Sequence, residues 1–117
     1  MNKQRRTDIG EAQAQMQKAV SLLEEAKEKI EAAQEAAEAA RDGFETAKDE
    51  EEDYKDNMPE NMQGGEKYEM AESAVDSLTE AFEKAEEMIE AFEELTSNLE
   101  TAIESGGEAD DCANGAL

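Results

Sequence analysis

Apolar residues recur every seven positions along most of this chain. One row runs Ile9, Met16, Leu23, Ile30, Ala37, Phe44, and a second runs Ala12, Ala19, Ala26, Ala33, Ala40, Ala47, Tyr54. Read as heptad positions a and d, they predict a helix from about residue 8 to about residue 56, with a seam that alternates large side chains and alanine. Three rows resume after a break: Ala71, Leu78, Ala85, Phe92, Leu99; Ala74, Ala81, Met88, Leu95, Ala102; and Val75, Phe82, Ile89, Thr96, Ile103. They predict a second helix over about 66–105. Thr7 or Asp8 is placed to cap the first helix, with Glu11 as a capping-box partner. Gly106-Gly107 is placed to end the second, which leaves 106–117 as a disordered acidic tail.

The break reads YKDNMPENMQGGEKY, Tyr54 to Tyr68. Met58 precedes a proline and is pushed toward extended backbone, Pro59 is poorly tolerated inside a helix, and Gly64-Gly65 oppose any continuation. The turn is therefore expected over 57–65. The fold class that follows is all-α: a long antiparallel two-helix hairpin, coiled-coil-like, spanning 1–105. Three apolar rows on the second helix are more than one partner helix covers, and the first helix outruns the second around Ile9 to Val20. Both features predict a homodimer, two hairpins forming a four-helix bundle.

Length and composition narrow this further. A chain of 117 residues is one domain by size. High charge with 4% aromatic residues is also how disordered chains read, but the sevenfold repeat argues for order. Cys112 is the only cysteine, so no internal disulfide forms, which suits a reducing compartment. No run approaches the roughly 20 apolar residues of a membrane span, and the basic start MNKQRR leads into no apolar segment. The expected setting is the cytoplasm, without membrane contact.

Charge changes the picture most. The net charge is −22. Residues 1–49 hold 8 basic and 11 acidic side chains, and residues 50–117 hold 3 and 22. On the first helix, positions b and f are acidic without interruption from Glu24 to Asp56, ending in Asp49, Glu52 and Asp56. The e positions Lys27, Gln34, Arg41, Lys48 and Lys55 sit beside the seam, where they can meet acids of the partner helix. On the second helix a row reads Glu66, Glu69, Glu72, Asp76, Glu80, Glu83, Glu87, Glu90, Glu94.

Like charges at this spacing repel by a few tenths of a kcal/mol per pair. A surface selected for solubility alone mixes both signs. Carboxylates in each row rise by about 5 Å per step at 1.5 Å per residue. Phosphates on one DNA strand rise by about 3.4 Å. Two such rows imitate phosphate tracks closely enough to attract a groove lined with Lys and Arg. The expected function is thus an acidic nucleic-acid mimic that occupies and blocks a basic DNA- or RNA-binding protein, with no direct nucleic-acid contact. The alternative is a coiled-coil scaffold or assembly protein whose acidic surface is merely solvated. Expected contacts are Asp49, Glu52, Asp56, Glu60, Glu66, Glu69, Glu72, Asp76, Glu80, Glu83, Glu87 and Glu90.

The reversal admits two readings. In one it is structural: Met58 and Met62 close the seam, Tyr54 and Tyr68 pack across it, and Asn57 and Asn61 satisfy helix-end backbone groups. In the other Tyr54, Asn57, Met58, Asn61, Met62 and Gln63 form a recognition tip, since Met adapts to partners and loops on rigid scaffolds often carry function.

The run YKDNMPENMQGGEKYEMAESAVDSLTEA resembles small uncharacterised acidic helical proteins of Gram-positive bacteria and their phages. These carry an aromatic residue, Asn-Met-Pro-Glu-Asn, an apolar residue, Gln-Gly and then an acidic helix. The likeness covers roughly residues 50–100 and rests on Tyr54, Asn57 to Gln63 and Gly64. It supplies no activity. In a phage setting, inhibition of a host defence such as a CRISPR or restriction effector, in the host cytoplasm, would be one use of acidic mimicry.

Enzyme chemistry has little to stand on. There is no His. No nucleophile–base pair or phosphate-cradling glycine loop can be assembled. The run Asp49 to Asp53 splays around a helix and cannot converge the six or more oxygens a calcium site takes. No enzyme activity, cofactor or metal is expected.

Overall fold

The computed structural model describes residues 2–117. The chain is an all-α helical hairpin. Helix α1 (Lys3–Asp56) and helix α2 (Glu66–Asn114) are joined by a reversal that holds one 3-10 turn, Glu60–Met62.

Helix α1 starts earlier than the expected cap at Thr7 or Asp8. Asn2 is the cap: its side-chain oxygen accepts the Arg5 backbone N–H at 2.8 Å. Thr7 lies within the helix, and its Oγ1 donates back to the Lys3 carbonyl at 3.1 Å. Lys3, Gln4, Arg5 and Arg6 are good helix formers, so nothing after Asn2 delays the start.

At the other end, Met58 N–H reaches the Lys55 carbonyl at 3.2 Å, and Pro59 turns the chain into extended backbone (φ −57, ψ 147). Gln63 Nε2 donates to the Met58 carbonyl at 3.2 Å and ties the turn across itself. The side chain that satisfies a carbonyl of the reversal is thus Gln63. Gly65 accepts no left-handed backbone. It makes room, because a Cβ there would stand 3.2 Å from the Met62 carbonyl oxygen.

Helix α2 does not end at Gly106-Gly107, and 106–117 is not a disordered tail. The helix continues to Asn114. Gly106 is buried at the next step of the Ala71 row. A Cβ there would stand 2.6 Å from Val20 Cγ2 and 3.5 Å from Met16 Sδ. Its missing side chain is a notch that receives Val20. Two amides then fasten the last turns. Gln13 Nε2 donates to Asn114 Oδ1 at 2.7 Å, and Gln17 Nε2 donates to the Asp110 carboxylate at 3.2 Å. The α1 stretch from Ala12 to Val20 is therefore covered by its own chain, and it no longer argues for a second copy.

The chain divides into two compact units. A terminal unit joins residues up to Ala32 with Phe92–Leu117, and a turn unit spans Ala33–Ala91. In the terminal unit Ile9, Met16, Val20, Leu23 and Ile30 of α1 and Thr96, Leu99 and Ile103 of α2 are half-buried, and Gly106 is buried beside Val20 and Met16. In the turn unit the core is Ala37, Met58, Ala71, Val75 and Ile89, with Ala71 only 1% exposed.

In both units α2 packs through its Ala71 and Val75 rows. On α1 the Ile9 row packs as expected, but the alanine row does so only in part, with Ala26 and Ala47 half-buried. Ala12, Ala19, Ala33 and Ala40 are exposed, and the half-buried companions of the Ile9 row are Gln13, Val20, Lys27, Gln34, Arg41, Lys48 and Lys55. Apart from Val20 these are long side chains, whose methylene stems cover more apolar surface than an alanine methyl. The charged ends of the lysines and of Arg41 stay in water or meet an acid, as Lys27 Nζ does with Glu100 at 3.2 Å.

Candidate interaction surface

The sides of the seam differ in kind. One side of the terminal unit holds a groove lined by Glu24, Lys27, Glu28, Glu31, Glu100 and Glu104 with Ile103. The other holds a groove lined by Ala12, Gln13, Met16, Ala109, Asp110 and Ala113. Ala12 belongs to the α1 alanine row. Ala109 is the next step of the α2 row Ala74, Ala81, Met88, Leu95, Ala102. These two rows thus share one edge, and the rows containing Glu31 and Glu100 share the opposite one. This follows from helix geometry, since antiparallel partners bring equivalent flanking positions to the same side of their seam.

All expected contact residues fall in the turn unit, which carries 20 acidic and 5 basic side chains. The structure sorts them into three settings. Glu52 and Glu72 belong to the rows containing Glu31 and Glu100 and flank the seam on the acidic side. Asp49, Asp56, Glu69, Asp76, Glu83 and Glu90 are exposed on the outer flank of their helices. Glu66, Glu80 and Glu87 lie at the back of α2, facing away from α1, because they sit nearly opposite its two buried rows. Glu69, Glu72 and Asp76 line one shallow groove together with Ser73. Glu60 stands apart on the turn. The acids therefore do not form one flat pair of tracks. They wrap from the acidic edge around the outside of both helices.

The turn residues separate as well. Met58 is 7% exposed and closes the core, so it is not available to a partner as the tip reading expected. Tyr54, Asn57, Asn61, Met62 and Gln63 are exposed. Lys55 Nζ sits 5.9 Å from the Tyr68 ring centroid, a cation–π contact.

Sequence reasoning missed the opposite edge. In the turn unit it runs along α1 through Ala33, Ala36, Ala40, Gly43, Ala47, Glu50 and Tyr54, and along α2 through Met70, Ala74, Ser77, Ala81, Lys84, Met88 and Ala91. It holds one of the unit's 20 acidic residues, Glu50. The missing carboxylates were the available signal, readable once the buried rows are known.

Among the described residues, no cluster of three or more acidic or thiol side chains is placed to hold a metal ion, and no helix is long and apolar enough to cross a membrane. No protein-family model, curated protein or solved structure matches the chain.

Proposed function

We propose that the acidic side of the turn unit binds the cationic groove of a nucleic-acid-binding protein and blocks it, as a mimic of the phosphate backbone. One observation carries this reading: the unit's acids are segregated. Nineteen of 20 lie off one edge, and most of them crowd the acidic edge and the outer faces of both helices. A surface built only to stay dissolved has no reason to clear one edge of carboxylates while crowding them elsewhere against their own repulsion. A partner groove lined with Lys and Arg gains from such crowding, because binding releases its condensed anions and the field steers encounter. Tyr54, Asn57, Asn61, Met62 and Gln63 supply a neutral contact at the turn. The second reading, an assembly protein, is favoured by the acid-poor edge.

The test immobilises the full chain, exposes it to bacterial lysate at low salt and elutes with duplex DNA at constant ionic strength. Nucleic-acid-binding proteins released by DNA are the expected result. Capture that DNA does not reverse, or no capture, refutes the reading. A variant carrying Asp76→Asn, Glu80→Gln and Glu83→Gln separates binding from folding. It should capture less and show a shallower salt dependence, yet fold more stably by roughly 0.2–0.5 kcal/mol per relieved pair. Capture equal to wild type would show that this face is not the contact.

A further inference from the structure

We infer that the acid-poor edge of the turn unit is a self-association surface, along which two copies of this chain pack their turn units together. Tyr54, Met70 and Met88 stand on this edge 52%, 65% and 52% exposed. They are three of the four exposed large apolar side chains among the described residues of that unit, the fourth being Met62 in the turn. The hairpin can spare little such surface, since its core contains no fully buried large side chain among the described residues.

Charge selects the occupant. The unit's net charge is −15, from 5 basic and 20 acidic residues. A cationic partner drawn by that field would seat on the acids, and this edge offers it Glu50 alone. A second copy presents the same strip, with Glu50 as its one acid, so two strongly anionic molecules can meet here with their carboxylate rows directed outward. Shape agrees. The α1 strip is alanine and glycine from Ala33 to Ala47, whereas the α2 strip projects Met70 and Met88. A two-fold axis lays the α2 strip of each copy over the small-residue α1 strip of the other, an isologous contact in which large meets small.

Area is sufficient. The α1 strip (33–54) and the α2 strip (70–91) are each about 33 Å long at 1.5 Å per residue, and two helices side by side span about 20 Å. About 650 Å² per copy, or about 1,300 Å² in total, lies in the range of stable interfaces. This inference does not rest on the mimic reading, and salt acts on the two with opposite sign. Self-association should tighten as salt screens repulsion between the copies, while capture of a cationic protein should weaken.

The experiment is sedimentation equilibrium of the full chain across a salt series. A dimer that tightens with salt is expected. Ala40→Glu and Met88→Glu should each weaken association by about a hundredfold or more, because each buries a carboxylate without a partner in an apolar contact. Both sites are exposed in the single chain, so helicity by circular dichroism should be unchanged. Met62→Glu, exposed but off the edge, should leave association as it is. A wild-type chain that stays monomeric at high salt overturns the inference. So does a dimer indifferent to Ala40→Glu and Met88→Glu.

Discussion

The terminal unit and the turn unit are built from the same two helices and held by different forces. In the terminal unit α1 and α2 are fastened by the Gly106 notch, by two glutamine amides and by the Lys27–Glu100 ion pair. Its net charge is −7, from 6 basic and 13 acidic residues. In the turn unit no ion pair joins the helices. Arg41 and Lys48 pair only with their chain neighbours Asp42 and Asp49, and the unit relies on apolar burial at Ala37, Met58, Ala71, Val75 and Ile89. The lesson is one of division. Where the field is strongest, the contacts are those that charge cannot weaken, and the polar fasteners sit where repulsion is least.

Core truncation tests this contrast most severely. Ile89 is 5% exposed and Ile103 is half-buried. Ile89→Ala should cost about 2–4 kcal/mol in urea unfolding, the range for a buried isoleucine. Ile103→Ala should cost clearly less, because part of its side chain is already wet. Equal losses would mean that the terminal unit is held by apolar burial as much as the turn unit is, and the division would fail.

The glycine pair gives the next largest effect, with opposite signs at adjacent positions. At Gly106 an added methyl meets Val20, a β-branched residue with little rotamer freedom. The helices must separate, and Gly106→Ala should destabilise by about 1–3 kcal/mol. At Gly107 nothing lies within 4 Å of an added Cβ. Gly107→Ala should therefore stabilise by up to about 1 kcal/mol through helix propensity alone. Combining Gly106→Ala with Val20→Ala should recover much of the loss, which thermal unfolding of the single and double variants would show. Two glycine substitutions with the same sign would remove the notch from the account of this unit.

These residues also mark how far the sequence could be read. The hairpin, its turn and the packing of the Ile9, Ala71 and Val75 rows follow from sevenfold spacing and Pro59. The choice between flanking rows on α1 does not. Alanine scores as apolar and lysine as charged, yet four methylenes on Lys27 or Lys48 cover more of α2 than one methyl does. The extension of α2 was legible in principle, because the Ala71 row steps on to Gly106 and Ala113 without a break. A glycine pair looks like a stop until the residue facing it is known, and Val20 lies 86 positions away from Gly106. The acidic character of the candidate site could be read directly. Its wrapping around both helices depends on which rows are buried, and so became visible only with the fold.

The smallest expected effect concerns the last turns of α2. Gln13 spends its amide on Asn114 and, at 3.4 Å, on the Asp110 carbonyl. The carboxamide group of Asn114 is exposed, so a bond there adds little beyond what water offers, about 0.5–1.5 kcal/mol at most. Gln13→Ala should leave global unfolding nearly unchanged. Local opening should respond instead: amides of residues 110–114 should exchange with solvent severalfold faster, while those of the turn unit keep their wild-type protection. If protection at the end of α2 is unaltered, the Gly106 notch and the apolar groove through Ala109 and Ala113 hold that end without help from the amides. If exchange in the turn unit rises too, the two units open together and are not the separately held bodies that their contacts describe.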